Sequence, residues 1–551
     1  MYKKLLLFFM ISAVLFSMTA CANHPDIEHA KEQKQGYLRI ESTPQGADIY
    51  INSERYEKAV APCTIPLDEN VYEIELVIPG YEKCVNTVNV TAGVVTEITC
   101  SILPEIPYED TIKTVTVSNE ADTDPSEFSD ITVDDLSSLT SVSFRQALTA
   151  IQNDESDCWY RVEFAENVER IELVGNNIEF TRDNLVINGD KNRDGVPDVS
   201  VTSTEWGTFF YSINNLHIMG LKLDGDVKNG GCAFVVRPFD HFCEDISVSN
   251  VYLLGCEIRN IDVIPFGGGC KEYNSCGKVD YANINACGNN IYQSDLFFAY
   301  SGNIDNSTTD GLFYCANTLD SESCITTQNS DCNTNYIYGP GTESANGGTP
   351  GAFETSDGNI VKNVLVSGNH GGRFVCSSSV GGSSGCISSN ILIRNNVFTN
   401  YAFIRVTQPM DEKNEGLHIV MNNNVIEELT FEYNVLVEYP LYMSLAAFDI
   451  IDSTSKFTVN NNIMRNITIK DNYVVGNDYS KADNVSDKID VELNDGIIPG
   501  EIEIGIDYIS NQYLPNVEFS NNRYENLLFE NNHSIKEWKP GEAWDSMEIV
   551  E

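Results

Sequence analysis

One short pattern recurs through most of the chain: alternating apolar residues, then Asn or Gly, then alternating apolar residues again. Strands this short, separated by polar corners and irregular insertions, are typical of a solenoid whose coils stack on one another. Asparagine suits the corners because it tolerates left-handed backbone and its amide can hydrogen-bond from coil to coil. The pattern therefore predicts a large parallel β-helix. Its clearest copies are Leu216–Gly225, Val251–Asn260, Ile391–Asn400, His418–Ile426, Phe457–Met464, Thr468–Val474, Val517–Asn522 and Leu527–Asn532.

The predicted β-helix begins with a short amphipathic helix. Ser143 is a favourable N-cap for it, and apolar residues follow at helical spacing, namely Phe144, Ala147, Leu148 and Ile151. The run Ser143–Leu148, then a strand, then Val186–Asp190, resembles the start of the right-handed, pectin-lyase-like β-helix family of bacterial surface proteins. The resemblance implies a right-handed parallel β-helix over residues 140–551, with the helix capping its N-terminal end. It implies no activity, because this fold carries lyases, hydrolases, adhesins and inert scaffolds.

A smaller unit precedes it. Between residues 36 and 104, short alternating runs are separated by turn signals, which predicts a small antiparallel β-sandwich. The segment Ser42–Tyr50 resembles the signature of the PEGA domain, and Ala61-Pro62 and Ile78–Tyr81 fall where that family has its later turns. The resemblance implies a spacer or interaction module of envelope proteins, without catalysis. Three cysteines lie outside the signature, and two of them can pair: Cys63, Cys84 and Cys100.

Residues 105–139 are rich in Asp, Glu, Ser, Thr and Pro, as in the run Ser118–Glu127. Such composition predicts an acidic linker between the two units.

The first residues have the composition of an export signal. Lys3 and Lys4 precede the apolar run Leu5–Phe16, which is too short for a comfortable membrane span. The end of this segment, Ser17–Cys21, resembles the lipobox of bacterial lipoproteins. The resemblance implies a signal peptide over residues 1–20, lipid on Cys21, a tether over 21–35 and a lipid-anchored protein at the bacterial cell surface or outer membrane. Ordinary secretory cleavage with an incidental Cys21 is the alternative.

Charge and cysteine content limit the partners. The formal net charge is −47 over 551 residues, which makes nucleic-acid binding improbable and requires a bridging cation for an acidic polysaccharide. Sixteen cysteines without a C-x-x-C motif suit an oxidising compartment and argue against a zinc ribbon. Close spacing makes Cys270 with Cys276, and Cys376 with Cys386, candidate disulfides. Another group, Cys315, Cys324 and Cys332, falls in one Asn/Ser/Thr-rich stretch.

One loop has the composition of a calcium site. Asp190–Asp198 places oxygen side chains at positions 1, 3, 5 and 9 and glycine at position 6, as in the first part of an EF-hand loop. The predicted ligands of a structural calcium ion are Asp190, Asn192, Asp194, the carbonyl of Val196, and Asp198. Val201 stands where an EF-hand has its bidentate glutamate. A polar turn without metal is the alternative.

A catalytic set is harder to find. Asp310, Asp331, His370 and Arg405 occur in the order of the polygalacturonase motifs, which they resemble incompletely: one aspartate is missing, an Asn precedes His370, and Val406 replaces a lysine. As an alternative to any catalytic role, the lone arginines Arg394, Arg405 and Arg465 are expected to pair with acids on the coil faces.

We therefore assign no catalytic residue. The sequence favours a non-enzymatic surface module that binds glycan or scaffolds the envelope, with the membrane, polysaccharide and envelope proteins as partners. Two alternatives stay open: a surface polysaccharide lyase or glycoside hydrolase, and a purely structural envelope protein.

Overall fold

The computed structural model confirms an all-β protein with a small N-terminal unit and a large parallel β-helix. It describes residues 35–106, 112–122, 128–174, 178–203, 208–211, 213–225, 234–237, 246–260, 278–298, 306–321, 323–328, 357–380, 383–400, 402–408, 418–437, 441–447, 456–475, 502–507 and 517–535.

The N-terminal unit is a sandwich of two sheets. One holds β4 (Cys63–Asp68), β1 (Gln35–Thr43) and β7 (Val95–Ser101), and the other holds β3 (Glu54–Val60), β2 (Asp48–Ile51), β5 (Asn70–Val77) and β6 (Cys84–Val90). All pairings are antiparallel except that of β1 with β7. Alternation along β1 turns Leu38 and Ile40 inward. A disulfide between Cys84 and Cys100 joins the two sheets.

The β-helix is built around one long sheet in which each strand pairs in parallel with the strand of the next coil. Its members are β8 (Ile112–Val117), β9 (Trp159–Phe164), β12 (Leu185–Asn188), β15 (Leu216–Met219), β18 (Ile246–Leu254), β20 (Val279–Cys287), β23 (Thr308–Cys315), β26 (Ile360–Ser367), β28 (Ile387–Arg394), β32 (Val425–Glu432), β36 (Ile463–Lys470) and β40 (Arg523–Glu530).

The second face of the solenoid consists of two parallel sheets of short strands. The first holds β10 (Arg170–Leu173), β13 (Val199–Ser203), β16 (Leu221–Gly225), β19 (Glu257–Arg259), β21 (Asn290–Tyr292) and β24 (Thr318–Leu319). Bridges through His370 continue it to the other, which holds β29 (Val397–Phe398), β33 (Val435–Val437), β37 (Tyr473–Val475) and β41 (His533–Ile535).

The third face also consists of parallel strands: β11 (Ile178–Phe180), β14 (Thr208–Tyr211) and β17 (Phe234–Arg237), then β22 (Asp295–Phe298), β25 (Cys324–Gln328), β27 (Arg373–Val380), β30 (Ala402–Gln408), β34 (Leu441–Ala447) and β38 (Ile502–Asp507). In the last coils a short fourth sheet holds β31 (His418–Asn422), β35 (Lys456–Asn460) and β39 (Val517–Ser520).

Asparagine holds the corners as the sequence predicted. One buried ladder runs through Asn289, Asn317, Asn369, Asn396, Asn434, Asn472 and Asn532, each side chain bonding to the next coil. These amides satisfy backbone groups that the turn between two faces would otherwise leave unpaired inside the core. A second ladder, through Asn424, Asn462 and Asn522, serves the opposite end of the long strands.

A helix covers the N-terminal end of the solenoid. Helix α2 (Phe144–Asn153) begins at Ser143, whose side chain accepts a hydrogen bond from the backbone of Gln146, and its apolar face joins the core. A shorter helix, α1 (Val133–Leu136), packs beside it. No helix in the described part of the chain is both long and apolar enough to cross a membrane.

The predicted linker over residues 105–139 needs correction. Strand β8 lies within it and pairs in parallel with β9, burying Val115 and Val117 in the core. The composition of this region is dominated by the acidic and hydroxyl-bearing residues around β8, which hide the alternation over its six residues. Such a composition does not prevent a short strand from pairing at the edge of a sheet. Residues 112–117 are therefore part of the first coil.

Candidate functional site

The residues that resemble a polygalacturonase set are not brought together. Asp310 lies on the long sheet, where it accepts a hydrogen bond from Asn363 and pairs with Lys362 at 3.0 Å. Both interactions lower the pKa of Asp310, so its carboxylate is held as an ion-pair partner. His370 bridges strands of the second face, and Arg405 lies on the third. Asp331 lies outside the described residues. A glycosidase needs two carboxyl groups that flank one bond, and among the described members of this set only Asp310 carries a carboxyl group.

The third face carries an aromatic pair instead. Phe403 and Tyr442 occupy matching positions in β30 and β34 and stack with ring centroids 5.0 Å apart. Both rings are half-buried, whereas Ile404 and Met443 point into the core. The guanidinium of Arg405 lies 4.8 Å from the centre of the Phe403 ring, within the range of a cation–π interaction. The two coils thus place two stacked aromatic rings and one guanidinium together on the third face.

The predicted calcium loop is closed by its own side chains. Asp190 accepts hydrogen bonds from the backbone of Asp194 and Gly195, at 3.2 and 2.8 Å. The Asp194 backbone also donates to Asn192, and Asp198 accepts from the backbone of Lys191. A carboxylate oxygen that accepts one hydrogen bond keeps a further lone pair, so the hard oxygen donors suit calcium in kind.

Their arrangement is less complete. Burial raises the pKa of Asp190, and the charge of Asp194 raises it further. Among the described residues, no three His, Cys, Asp or Glu side chains converge as a metal-binding group. Val196 is exposed at the outside of the loop. The calcium site stays a prediction.

The N-terminal sandwich packs directly on the β-helix. Its apolar core is continuous with outward-facing residues at the ends of successive long-sheet strands, namely Val186, Met219, Leu254, Cys287 and Cys315, with Ala316 at the corner beyond. As a result β12 and β15 are buried on both sides, and every residue of each is buried. The sequence carries a signal for this in the nearly continuous apolar run Leu216–Met219, because a strand that is apolar at successive positions needs cover on both faces.

Two of the segments that the sequence singled out in the sandwich, Ser42–Tyr50 and Ile78–Tyr81, make this contact. The backbones of Gly46 and Gly368 approach so closely that a Cβ on either would overlap the carbonyl oxygen of the other. The hydroxyl of Tyr81 is buried and donates a 3.0 Å hydrogen bond to the carbonyl of Cys287. Both segments therefore serve as docking loops.

Residues 35–105 match the PEGA domain family. The predicted bounds of 36–104 agree with this match. No match to a curated protein was found. Among solved structures, the Family 28 exopolygalacturonase of Yersinia enterocolitica is similar at 8% identity and a TM-score of 0.29, covering 88% of this chain and 93% of the other. The parallel β-helix itself follows from the strand register described above.

Ion pairs surround the apolar contact between the PEGA domain and the β-helix. Arg394 lies 3.4 Å from Asp48 and 3.7 Å from Glu57, both in the PEGA domain. At the other end, Arg193 of the predicted calcium loop pairs with Glu82 at 2.7 Å. Burial raises the pKa of Asp48 although an arginine neighbour opposes this shift. The expected pairing with an acid on a coil face is confirmed for Arg465, which pairs with Glu427, whereas the acids that pair with Arg394 belong to the PEGA domain.

The corner after each long-sheet strand shows where the PEGA domain sits. Under or beside the domain these left-handed positions hold small residues: Gly220, Gly255, Gly288, Ala316 and Gly368. From the rim onward, the same position holds Asn395, Tyr433, Asp471 and Asn531. A side chain at Gly288 or Gly368 would collide with the domain, whereas one at Gly220 would collide with Asp190 of the β-helix. This change of residue type along one row is a signal in the sequence that could have located the interface.

The cysteine predictions have mixed outcomes. A pair among Cys63, Cys84 and Cys100 is confirmed as Cys84–Cys100. The predicted Cys376–Cys386 bond is wrong, because Cys376 points into the core from β27, whereas Cys386 lies at the corner before β28. Close spacing misled here because the chain crosses from one face to another between them. Three more cysteines lie outside the described residues: Cys270, Cys276 and Cys332.

Proposed function

We propose that this protein is a non-enzymatic, lipid-anchored surface protein whose β-helix binds glycan. The observation that carries the proposal is the half-buried Phe403–Tyr442 stack with Arg405 behind it. The dispersal of Asp310, His370 and Arg405 over three faces supports a binding role over catalysis.

The chemistry of the aromatic pair suits a sugar. A pyranose ring has an apolar face of C–H groups that packs on an aromatic ring, while its hydroxyl groups need polar neighbours. Ser444 occupies the position next to Arg405 in the adjacent coil, and both of these polar side chains are buried. Because the coils repeat at about 4.8 Å, the edges of the two stacked rings form an aromatic strip about as long as one sugar unit.

The experiment combines binding and sizing. The soluble chain from residue 36 onward is incubated with a panel of polysaccharides and calcium, and both polymer length and protein retention are measured. We expect unshortened polymers and retention on at least one of them. Phe403→Ala and Tyr442→Ala should each abolish retention, and Tyr37→Ala, which removes an exposed PEGA ring, should not.

Two other outcomes reject the proposal. Shortened polymers would favour the surface lyase or hydrolase, and Asp310, Asp331, His370 and Arg405 would be substituted next. Unshortened polymers without retention on any of them would favour a purely structural envelope protein.

The anchor has its own test. Lipid on Cys21 would hold the protein at a membrane through acyl chains. We expect Cys21→Ser to release the full chain from membranes, with the wild-type chain as the reference. Continued retention of the variant would require another anchor and would leave the glycan test unaffected.

A further inference from the structure

Two cysteines face each other across neighbouring coils beneath the PEGA domain. Cys287 ends β20 and Cys315 ends β23, and they are register partners in these parallel strands. Both side chains belong to the cluster shared with the PEGA domain, whereas their neighbours Ala286 and Tyr314 point into the solenoid. No bond joins them in the structure, and the Cys287 thiol lies 3.8 Å from the carbonyl oxygen of Phe313, to which it donates.

Their spacing is within reach of a covalent bond. Neighbouring strands of a sheet lie about 4.8 Å apart, and disulfides join residues whose Cα atoms are roughly 4.4 to 6.8 Å apart. Matching positions on adjacent parallel strands also direct their side chains the same way. Closing the bond also requires the two Cβ atoms to approach to about 3.5 to 4.5 Å, slightly closer than the strand spacing.

The PEGA domain seals this pair from solvent. Cys287 is 0% and Cys315 is 3% exposed, and the Tyr81 side chain lies over the adjoining Gly288. The neighbouring Cys287 thiol and burial raise the pKa of Cys315 well above its ordinary value, which keeps the reactive thiolate scarce in the docked state.

We propose that Cys287 and Cys315 form a disulfide that joins two coils during folding and is then sealed by the docked PEGA domain. One thiolate attacks the disulfide of an exchange oxidant, a small-molecule or protein disulfide, and displaces one of its sulfurs. The second cysteine then displaces the remaining sulfur. The two cysteines are oxidised, the oxidant is reduced to two thiols, and the two cysteine protons pass to the departing thiolates. The inference rests on the proposed function in one respect: export would bring the chain into a compartment that supplies the oxidant.

The test uses Cys84–Cys100 as an internal reference. The full chain, exported into the extracytoplasmic compartment of a bacterial host, is unfolded in an alkylating agent without reductant, digested and analysed by mass spectrometry. We expect a cross-linked peptide pair containing Cys287 and Cys315, and its loss in Cys315→Ser. As a matched control, Cys256→Ser should keep the cross-link, because the Cys256 thiol hydrogen-bonds to backbone carbonyls. Alkylated Cys287 and Cys315 beside an intact Cys84–Cys100 bond would overturn the inference.

If Cys84–Cys100 is reduced as well as the Cys287–Cys315 pair, the protein is refolded in a glutathione redox buffer until Cys84–Cys100 forms. The presence or absence of the Cys287–Cys315 cross-link is then scored in the same way. This result does not depend on glycan binding, so either proposal can fail alone.

Sealing is tested by reduction. We expect the cross-link to resist dithiothreitol in the native chain and to be reduced roughly tenfold faster in Tyr81→Ala, which uncovers the pair. Equal rates in the two proteins would contradict sealing by the PEGA domain.

Discussion

His217 shows how docking changes the chemistry of a single residue. It points outward from β15 yet is buried, stacked on Tyr252 at 4.3 Å and edge-on to Trp159 at 5.8 Å. Its Nδ1 has no hydrogen-bond partner. Burial lowers the pKa of His217 from 6.5 to about 3, so the imidazole stays neutral in the folded protein. Its neighbours Trp159 and Tyr252 pack against the apolar cluster shared with the PEGA domain, and the sequence of β15 alone does not show this cover.

Acid should therefore destabilise the fold through His217. Below about pH 6.5 the unfolded chain takes up a proton that the folded chain excludes, so stability falls toward about pH 3 by up to about 1.4 kcal/mol per pH unit. His217→Phe keeps a ring in the stack and removes the titration. We expect the melting temperature to fall less in this variant than in the wild type between about pH 6.5 and about pH 4. Equal losses would contradict the buried neutral imidazole.

The close approach of Gly368 to Gly46 makes a second residue critical. Gly368→Ala should lower the unfolding free energy by about 1 kcal/mol from backbone strain and by roughly 1 to 3 kcal/mol more from the clash with the PEGA domain. Gly93→Ala is the matched control, because Gly93 has a similar positive φ with no heavy atom near its missing side chain. Denaturant titration of both variants checks the difference, and equal costs would mean that the two backbones do not touch.

The calcium prediction is also tested at single residues. If the Asp190–Asp198 loop binds calcium, the ion stabilises the folded state by binding to it selectively. We expect chelation to lower the melting temperature of the wild type and to leave Asp194→Ala unchanged. A wild-type melt that is insensitive to chelator would remove the calcium site from this account.

At the scale of elements, the asparagine ladders organise the solenoid. The sequence placed Asn at the corners and suggested coil-to-coil bonding, and the structure confirms both. What the sequence could not give is which Asn residues are buried. Asparagines in two neighbouring rows of corner positions differ in burial: Asn434 in one row is fully buried, whereas Asn531 in the other row is exposed.

A substitution in the buried ladder should be costly. Asn434 accepts two hydrogen bonds from Asn396 and donates to Asn472 and to the carbonyl of Ile393. Asn434→Ala leaves buried groups unpaired and should cost about 3 kcal/mol. Asn460→Ala removes bonds that are exposed to water and should cost under about 1 kcal/mol. Thermal melts of the two variants compare these costs, and similar shifts would mean that the ladder adds little stability.

Local pattern predicted most elements but not their partners. Alternation and the Ser143 cap located the β-strands and helix α2, and the PEGA signature located the sandwich. Strand β8 was missed because its pairing with β9 spans a long separation along the chain. The Phe403–Tyr442 stack was equally hidden, because the coil register that aligns the two rings depends on the lengths of the intervening loops.

At the scale of the whole molecule, the PEGA domain and the β-helix form one folded unit. A PEGA domain was expected to act as a spacer at the end of a linker, whereas here its core continues onto the long sheet and its signature turns contact successive coils. The domain hides one end of the long-sheet strands and leaves the aromatic pair on another face. Its docking thus directs any glycan contact toward the third face.

Hydroxyl-radical footprinting of the full chain tests this arrangement most directly. Met219 faces outward from the long sheet and is only 2% exposed because the PEGA domain covers it, whereas Met464 is buried inside the solenoid and Leu528 is exposed on the uncovered part of the long sheet. We predict that Met219 is as protected from oxidation as Met464, while Leu528 is modified. Oxidation of Met219 far faster than Met464 would show that the PEGA domain swings free of the β-helix and would contradict the account.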